Sequence, residues 1–326
     1  MSTATIVPET WGLTGDDARQ TLRACGRSRL FKDAFMRLRV ADGFSHARSL
    51  AYATALTFVQ AIIGLIGLAV ALGNAGFSRV VARTVKAAVP GPGGNLLTEA
   101  VGQAHRAGAA HRYSGLVFGL VGALISGSTV VGQIERGLNR IYGVEQDRPT
   151  IQKYGRAFAL SVTAGTLTIG AFALLAFGQS IGDSIDSPAL NRAWQIARWP
   201  LAVVLATAAI TMLFRWSPRR HQPAPSWLAF GAAIATAGWL LVTAGLSVFF
   251  ALSKSFGQTY GPLAGIVALL LWSLLSAITV LFGGAVGAQL EAVRAGNHKP
   301  QDPEKVEHSE PDADQFSSFA PAGVMS

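Results

Sequence analysis

Long apolar blocks alternate with short, mostly basic connections along this chain. Six blocks lie at about 49–73, 113–134, 155–181, 199–214, 227–252 and 261–290, and none holds Asp, Glu, Lys, Arg or His in its interior. Blocks of this length read as helices crossing about 30 Å of hydrocarbon. Each carries small or hydroxyl-bearing positions at helical spacing, such as Thr57, Gln60, Gly64 and Gly67 in the first and Ser161, Gly165 and Thr168 in the third. Ser276, Gly283 and Gly287 mark one side of the last. Such faces let neighbouring helices approach closely. The pattern predicts an all-α polytopic membrane bundle with six transmembrane helices.

The segment 74–112 follows a different period. Phe77, Val80, Val81, Val85 and Ala88 share one face, with Arg79, Arg83 and Lys86 off it. Pro90-Gly91-Pro92-Gly93-Gly94 breaks the chain, and Leu97, Ala100, Val101 and Ala104 begin a second, weaker stripe. Two amphipathic outer helices are expected here. Residues 1–48 form a basic N-terminal segment with a partly amphipathic helix from Asp16 onward, using Leu30, Phe31, Phe35, Leu38 and Val40. A solvated tail and a helix on the inner membrane face are both open. Residues 292–326, rich in Pro, Glu, Asp and Ser, read as a disordered tail.

Charge orients the bundle. Nineteen Lys and Arg flank the spans on the side of both termini and eight on the other. The excess predicts an inner-membrane protein with both termini cytoplasmic. The same distribution removes nucleic acid as the reason for a net charge of +9, because the basic residues sit where topology and anionic lipid explain them. Membrane lipids are the expected partners, with a homo-oligomer or an envelope protein as further possibilities.

Candidate chemistry is sparse. Cys25 is the single cysteine, so neither an intramolecular disulfide nor a cysteine-based metal site can form. Glu99, His105 and His111 lack the spacing of a helical zinc site, and no phosphate-binding GxxxxGK[ST] loop occurs. No catalytic residue, cofactor or metal is assigned, and an enzyme is not expected. The densest polar stretch is 126–148, SGSTVVGQIERGLNRIYGVEQDR. Ser126, Thr129, Gln133, Arg136 and Arg140 recur along one side of a helix. Arg136, Asn139, Arg140 and Arg148 form a candidate cytoplasmic collar for an anionic headgroup, the alternative being plain anchoring at the interface.

Two stretches carry a family resemblance. GLNRIYGVEQDRP, with Leu138, Asn139, Arg140, Tyr142, Gly143, Glu145 and Arg148, resembles the signature of the YihY/BrkB family of bacterial inner-membrane proteins. The last block, with Tyr260, Gly261, Gly265, Trp272 and Glu291, is similar to that family's closing helix. The resemblance implies a helical membrane protein once labelled a ribonuclease. It implies links to envelope integrity and to export of lipid or another amphiphile, with a scaffold that transports nothing as the alternative. Two departures stand out. Gln60 lies where many members carry Pro nearby, and Ala285 and Gly287 stand where many carry Glu and Asn.

Overall fold

The computed structural model describes residues 3–71, 82, 84–86, 89–108, 114–145, 148–253, 255–260 and 263–302. Phe77, Val80, Val81, Ala88, His111, Gly261 and the tail from 303 onward lie outside the described residues. Ten helices are described: α1 (Gly15–Cys25), α2 (Arg27–Val40), α3 (Gly43–Ala71), α4 (Gly91–Gly108), α5 (Ser114–Ile141), α6 (Thr150–Asp183), α7 (Pro188–Trp216), α8 (Pro225–Leu252), α9 (Ser255–Tyr260) and α10 (Ala264–Arg294). Six of them, α3, α5, α6, α7, α8 and α10, are long and apolar enough to cross a membrane. The fold is an all-α polytopic bundle.

Helix α10 is its axis. From Gly283 to Ala292 every residue is buried, on all sides of the helix, as expected of a helix enclosed by others. It packs against α8, α3, α2 and α4, while α3 pairs with α5 and α6 with α7. Outward positions tell the complementary story. Phe118, Ile125, Leu241 and Leu252 are more than half exposed, which suits a surface solvated by lipid rather than water. Trp272 anchors the half of the core remote from the termini. Its ring meets Phe58 and Trp239 edge-on, at centroid distances of 5.1 and 6.4 Å, and its Nε1 donates to Thr243 Oγ1 at 3.1 Å.

Two expectations change. The connection left between the third and fourth apolar blocks, 182–198, shrinks to 184–187, because α7 starts at Pro188; proline at the first helical position costs no hydrogen bond. Trp194 donates from Nε1 to the Gly178 carbonyl at 2.6 Å and ties α7 to α6. The N-terminal segment is not a solvated tail. Leu30, Ala34, Arg37 and Leu38 of α2 are buried, and α2 packs on α10. Residues 3–14 form an extended strap: Thr3 N donates to Val40 O, Thr5 N to Pro300 O and Val7 N to Tyr142 O. Of the two outer helices, α4 is described, and it buries Leu97 and Val101.

Candidate functional site

The strap, the α5–α6 connection, the α7–α8 connection and the end of α10 gather at one end of the bundle. A closed ionic cluster joins them. Glu291 is fully buried near the end of α10. Arg220 grips it through two bonds, Nη2 to Oε1 at 2.8 Å and Nη1 to Oε2 at 3.1 Å, the bidentate geometry that suits guanidinium to carboxylate. Thr10 of the strap donates to Oε1 at 2.6 Å, and Arg220 also donates to the Pro8 carbonyl. The Arg220 guanidinium lies 4.4 Å over the ring of Tyr142. Burial pushes the Tyr142 phenol above its ordinary value, and the nearby Glu291 charge adds to the rise.

Arg37 is the second buried cation. Its Nε donates to Gln289 Oε1 at 2.7 Å and its Nη1 to the carbonyls of Thr5 and Ile141 at 3.0 and 3.2 Å. Its partners are all neutral, and burial pulls its pKa down to about 10. Arg148 and Glu135 form a third unit. Arg148 Nη1 lies 3.0 Å from Glu135 Oε1, and the guanidinium donates to the carbonyls of Ser217 and Pro218 at 2.6 Å each. These bonds close the α5–α6 and α7–α8 connections onto each other.

The four collar residues therefore divide. Asn139 is fully buried and its Oδ1 accepts from Arg219 N at 2.8 Å. Arg148 is turned inward as described. Arg140 is half-buried and donates to the Glu145 carbonyl at 3.0 Å, while Arg136 is exposed. Of the family-signature residues, Leu138, Tyr142, Trp272, Gly265 and Glu291 are buried, whereas Glu145 and Tyr260 are exposed. Gly143 adopts φ +76°, and a Cβ there would lie 2.8 Å from Ile6 Cα of the strap. Both the conformation and the contact require glycine. Gly143→Ala is expected to cost about 1–3 kcal/mol, read as a lower melting temperature in detergent.

Sequence reasoning missed Arg37, Arg220, Thr10 and Gln289. A signal existed for Arg37: it shares the inward stripe of α2 with Leu30, Ala34 and Leu38, seven and three residues before it and one after. Nothing in the run RWSPRRHQPAP singles out Arg220 from its neighbours.

One concavity near this end remains open. A groove of about 520 Å³ runs between α3 and α5, lined by Arg48, Ser49, Tyr52, Ala53 and Leu56 on one wall and Ser126, Thr129 and Gln133 on the other. The second wall is the polar row read from the sequence. Arg48, Ser49 and Thr129 are exposed, and Tyr52 and Leu56 are open to the surface. The walls grade from charged at Arg48 to apolar at Leu56, over roughly 12 Å of helix.

Fold and site thus define a polytopic helical membrane protein whose charged helix ends are locked inside and whose polar groove opens sideways between two spans. Residues 34–309 match the Virulence factor BrkB family, and the chain belongs to that family. It is 29% identical over 186 residues to the ribonuclease-like protein YfkH of Bacillus subtilis, covering 55% of this chain and 67% of YfkH. It is 28% identical over 249 residues to the UPF0761 membrane protein Rru_A2625 of Rhodospirillum rubrum, covering 75% of this chain and 54% of that one. A UPF0761 membrane protein of Halorhodospira halophila is 26% identical over 177 residues, covering 54% of this chain and 39% of that relative. The chain thus spans about half or less of those two relatives. No solved structure matches it.

Proposed function

We propose that this protein moves a lipid or another amphiphile within the bacterial inner membrane, in support of envelope integrity, and that both termini are cytoplasmic. The observation that carries the reading is the groove between α3 and α5. It opens laterally, places a cation and an amide at one end, and becomes apolar on its α3 wall about two helical turns deeper. An amphiphile has the same gradient. Arg136 lies one turn beyond Gln133 on the same row and is exposed, so it extends the cationic approach to the groove, and Arg140 follows one turn later. The orientation rests on the charge excess and on the meeting of strap, connections and α10 end at one pole.

This role needs no catalytic residue. Glu291 and Arg220 are occupied with each other, and Arg148 with Glu135 and two backbone carbonyls, which suits fastening rather than acid–base work. The ribonuclease-like name of one relative brings no constellation of general base and metal ligands to these residues.

Reconstitution tests the reading. Liposomes carrying a trace of fluorescent lipid are treated with a membrane-impermeant reductant. Vesicles holding the protein are expected to lose signal beyond the outer leaflet, and Ala53→Trp, which fills the groove, is expected to slow that loss. Bleaching confined to the outer leaflet, with folded protein present, would overturn the proposal.

A further inference from the structure

The groove is two-tiered in its hydrogen-bonding capacity. At the outer tier are groups with protons to give. Arg48 is exposed and its one bond is a long 3.4 Å contact to Ser45 Oγ. Gln133 and Tyr52 have no hydrogen-bond partner among the described residues, and both line the groove. At the inner tier the situation reverses. Ser126 Oγ donates to the Gly122 carbonyl at 2.7 Å, and Thr129 Oγ1 donates to the Ile125 carbonyl at 3.1 Å. A hydroxyl has one proton and two lone pairs. With the proton spent on its own helix, each presents only lone pairs to the groove.

An anionic phosphodiester satisfies the outer tier. One turn deeper, where a lipid's backbone follows its phosphate, the wall accepts and does not donate. The backbone of a diacyl phospholipid is fully esterified and carries only acceptors there, so acceptor would face acceptor. A backbone with a free hydroxyl or an amide N–H supplies the missing donor. Across from that tier, on the α3 wall, Ala53 and Leu56 leave a narrow apolar strip, suited to the start of one chain.

We propose that the groove is a seat for a monoacyl anionic phospholipid, with the phosphate held by Arg48, Gln133 and Tyr52 and the free backbone hydroxyl donating to Thr129 and Ser126. This rests on the groove being an amphiphile seat, as argued above. The ligand class is narrower than that reading requires, and it can fail while the broader one stands.

The test compares 1-oleoyl-2-hydroxy-phosphatidylglycerol with its 2-O-methyl ether, in which a methyl group replaces the donor proton. Retention of each by the full-length protein is measured by native mass spectrometry on release from detergent. Wild type is expected to prefer the hydroxy lipid roughly five- to tenfold, the worth of one hydrogen bond that would otherwise leave acceptors unmet. Thr129→Val with Ser126→Ala is expected to abolish that preference while leaving retention of the ether unchanged, which also reports that the variant is folded. Arg48→Ala is expected to weaken both lipids equally. Equal retention of the two lipids by wild type would overturn the proposal, as would a preference that survives loss of both hydroxyls. Discrimination without flux in the liposome assay supports the seat and counts against transport. Flux with no discrimination supports transport and overturns the seat.

Discussion

Arg220→Ala is expected to destabilise the protein by about 3–5 kcal/mol, the usual consequence of stranding one member of a buried ion pair. Glu291 has no solvent exposure and the Arg220 side chain has 2%. Without the guanidinium, the carboxylate keeps the Thr10 hydroxyl, and the ring of Tyr142 loses the cation above it. The measurement is thermal unfolding in detergent, followed by the intrinsic fluorescence of the tryptophans. The double variant Arg220→Met/Glu291→Leu separates two explanations. If the loss comes from an unpaired buried charge, the double variant recovers much of the stability, because two apolar side chains pay no desolvation cost. If the loss comes from the strap coming away, it does not recover, because Pro8 loses its partner in both variants and Thr10 loses its own as well in the double one. A single variant melting with the wild type would show that the pair contributes nothing.

The six spans were legible because the hydrocarbon core imposes a length and a composition that local sequence must meet. Their ends were less so. Helix α5 runs to Ile141, in line with the row from Ser126 to Arg140, but α7 begins eleven residues before the apolar block at Trp199. Both extensions carry charge, buried at Glu135 and exposed at Arg136 and Arg192. The polar row at 126–133 was legible as a row and is a groove wall. The collar was half legible. Arg136 and Arg140 stay at the surface, whereas Asn139 and Arg148 face inward because connections distant in sequence fold over them. Arg148 meets Ser217 and Pro218, and Asn139 meets Arg219. Partners some 70 to 80 residues apart leave no trace in a helical period.

The strap is the clearest instance of what periodicity cannot show. Residues 3–14 have no helical or strand pattern, yet Ala4 and Val7 are buried in the same core as Leu138, Ile141 and Leu290. What fixes them is donors and acceptors supplied by others: Arg37 and Arg220 reach the carbonyls of Thr5 and Pro8, and Glu9 Oε1 accepts from His221 N at 3.0 Å. Trp11 stacks on His221 at a centroid distance of 3.6 Å. Extended backbone has to find its hydrogen bonds outside itself, and here two buried arginines provide part of them.

Gly283→Val is expected to break the bundle where Gly287→Ala is tolerated, although both glycines belong to one small-residue motif. Helices α8 and α10 touch backbone to backbone at Gly231 and Gly283. A Cβ on Gly283 would sit 2.5 Å from the Gly231 carbonyl oxygen and 2.7 Å from Ala235 Cβ, and a Cβ on Gly231 would sit 2.6 Å from the Gly283 carbonyl oxygen. No flexible side-chain tip is available to move, so the helices must separate along the buried length of α10. Overpacking of this kind costs about 1–3 kcal/mol when neighbours can adjust, and with backbone on both sides the loss lies at or above the upper end. At Gly287 a Cβ meets only the Tyr142 hydroxyl, at 3.9 Å, an ordinary contact that adds apolar burial. The comparison is made by size-exclusion profile and melting temperature in detergent, with Gly231→Val as a second probe of the same contact. Gly283→Val and Gly231→Val should both aggregate or melt far below the wild type, and Gly287→Ala should elute and melt with it. Equal behaviour of Gly283→Val and Gly287→Ala would mean that α8 and α10 do not cross at Gly283.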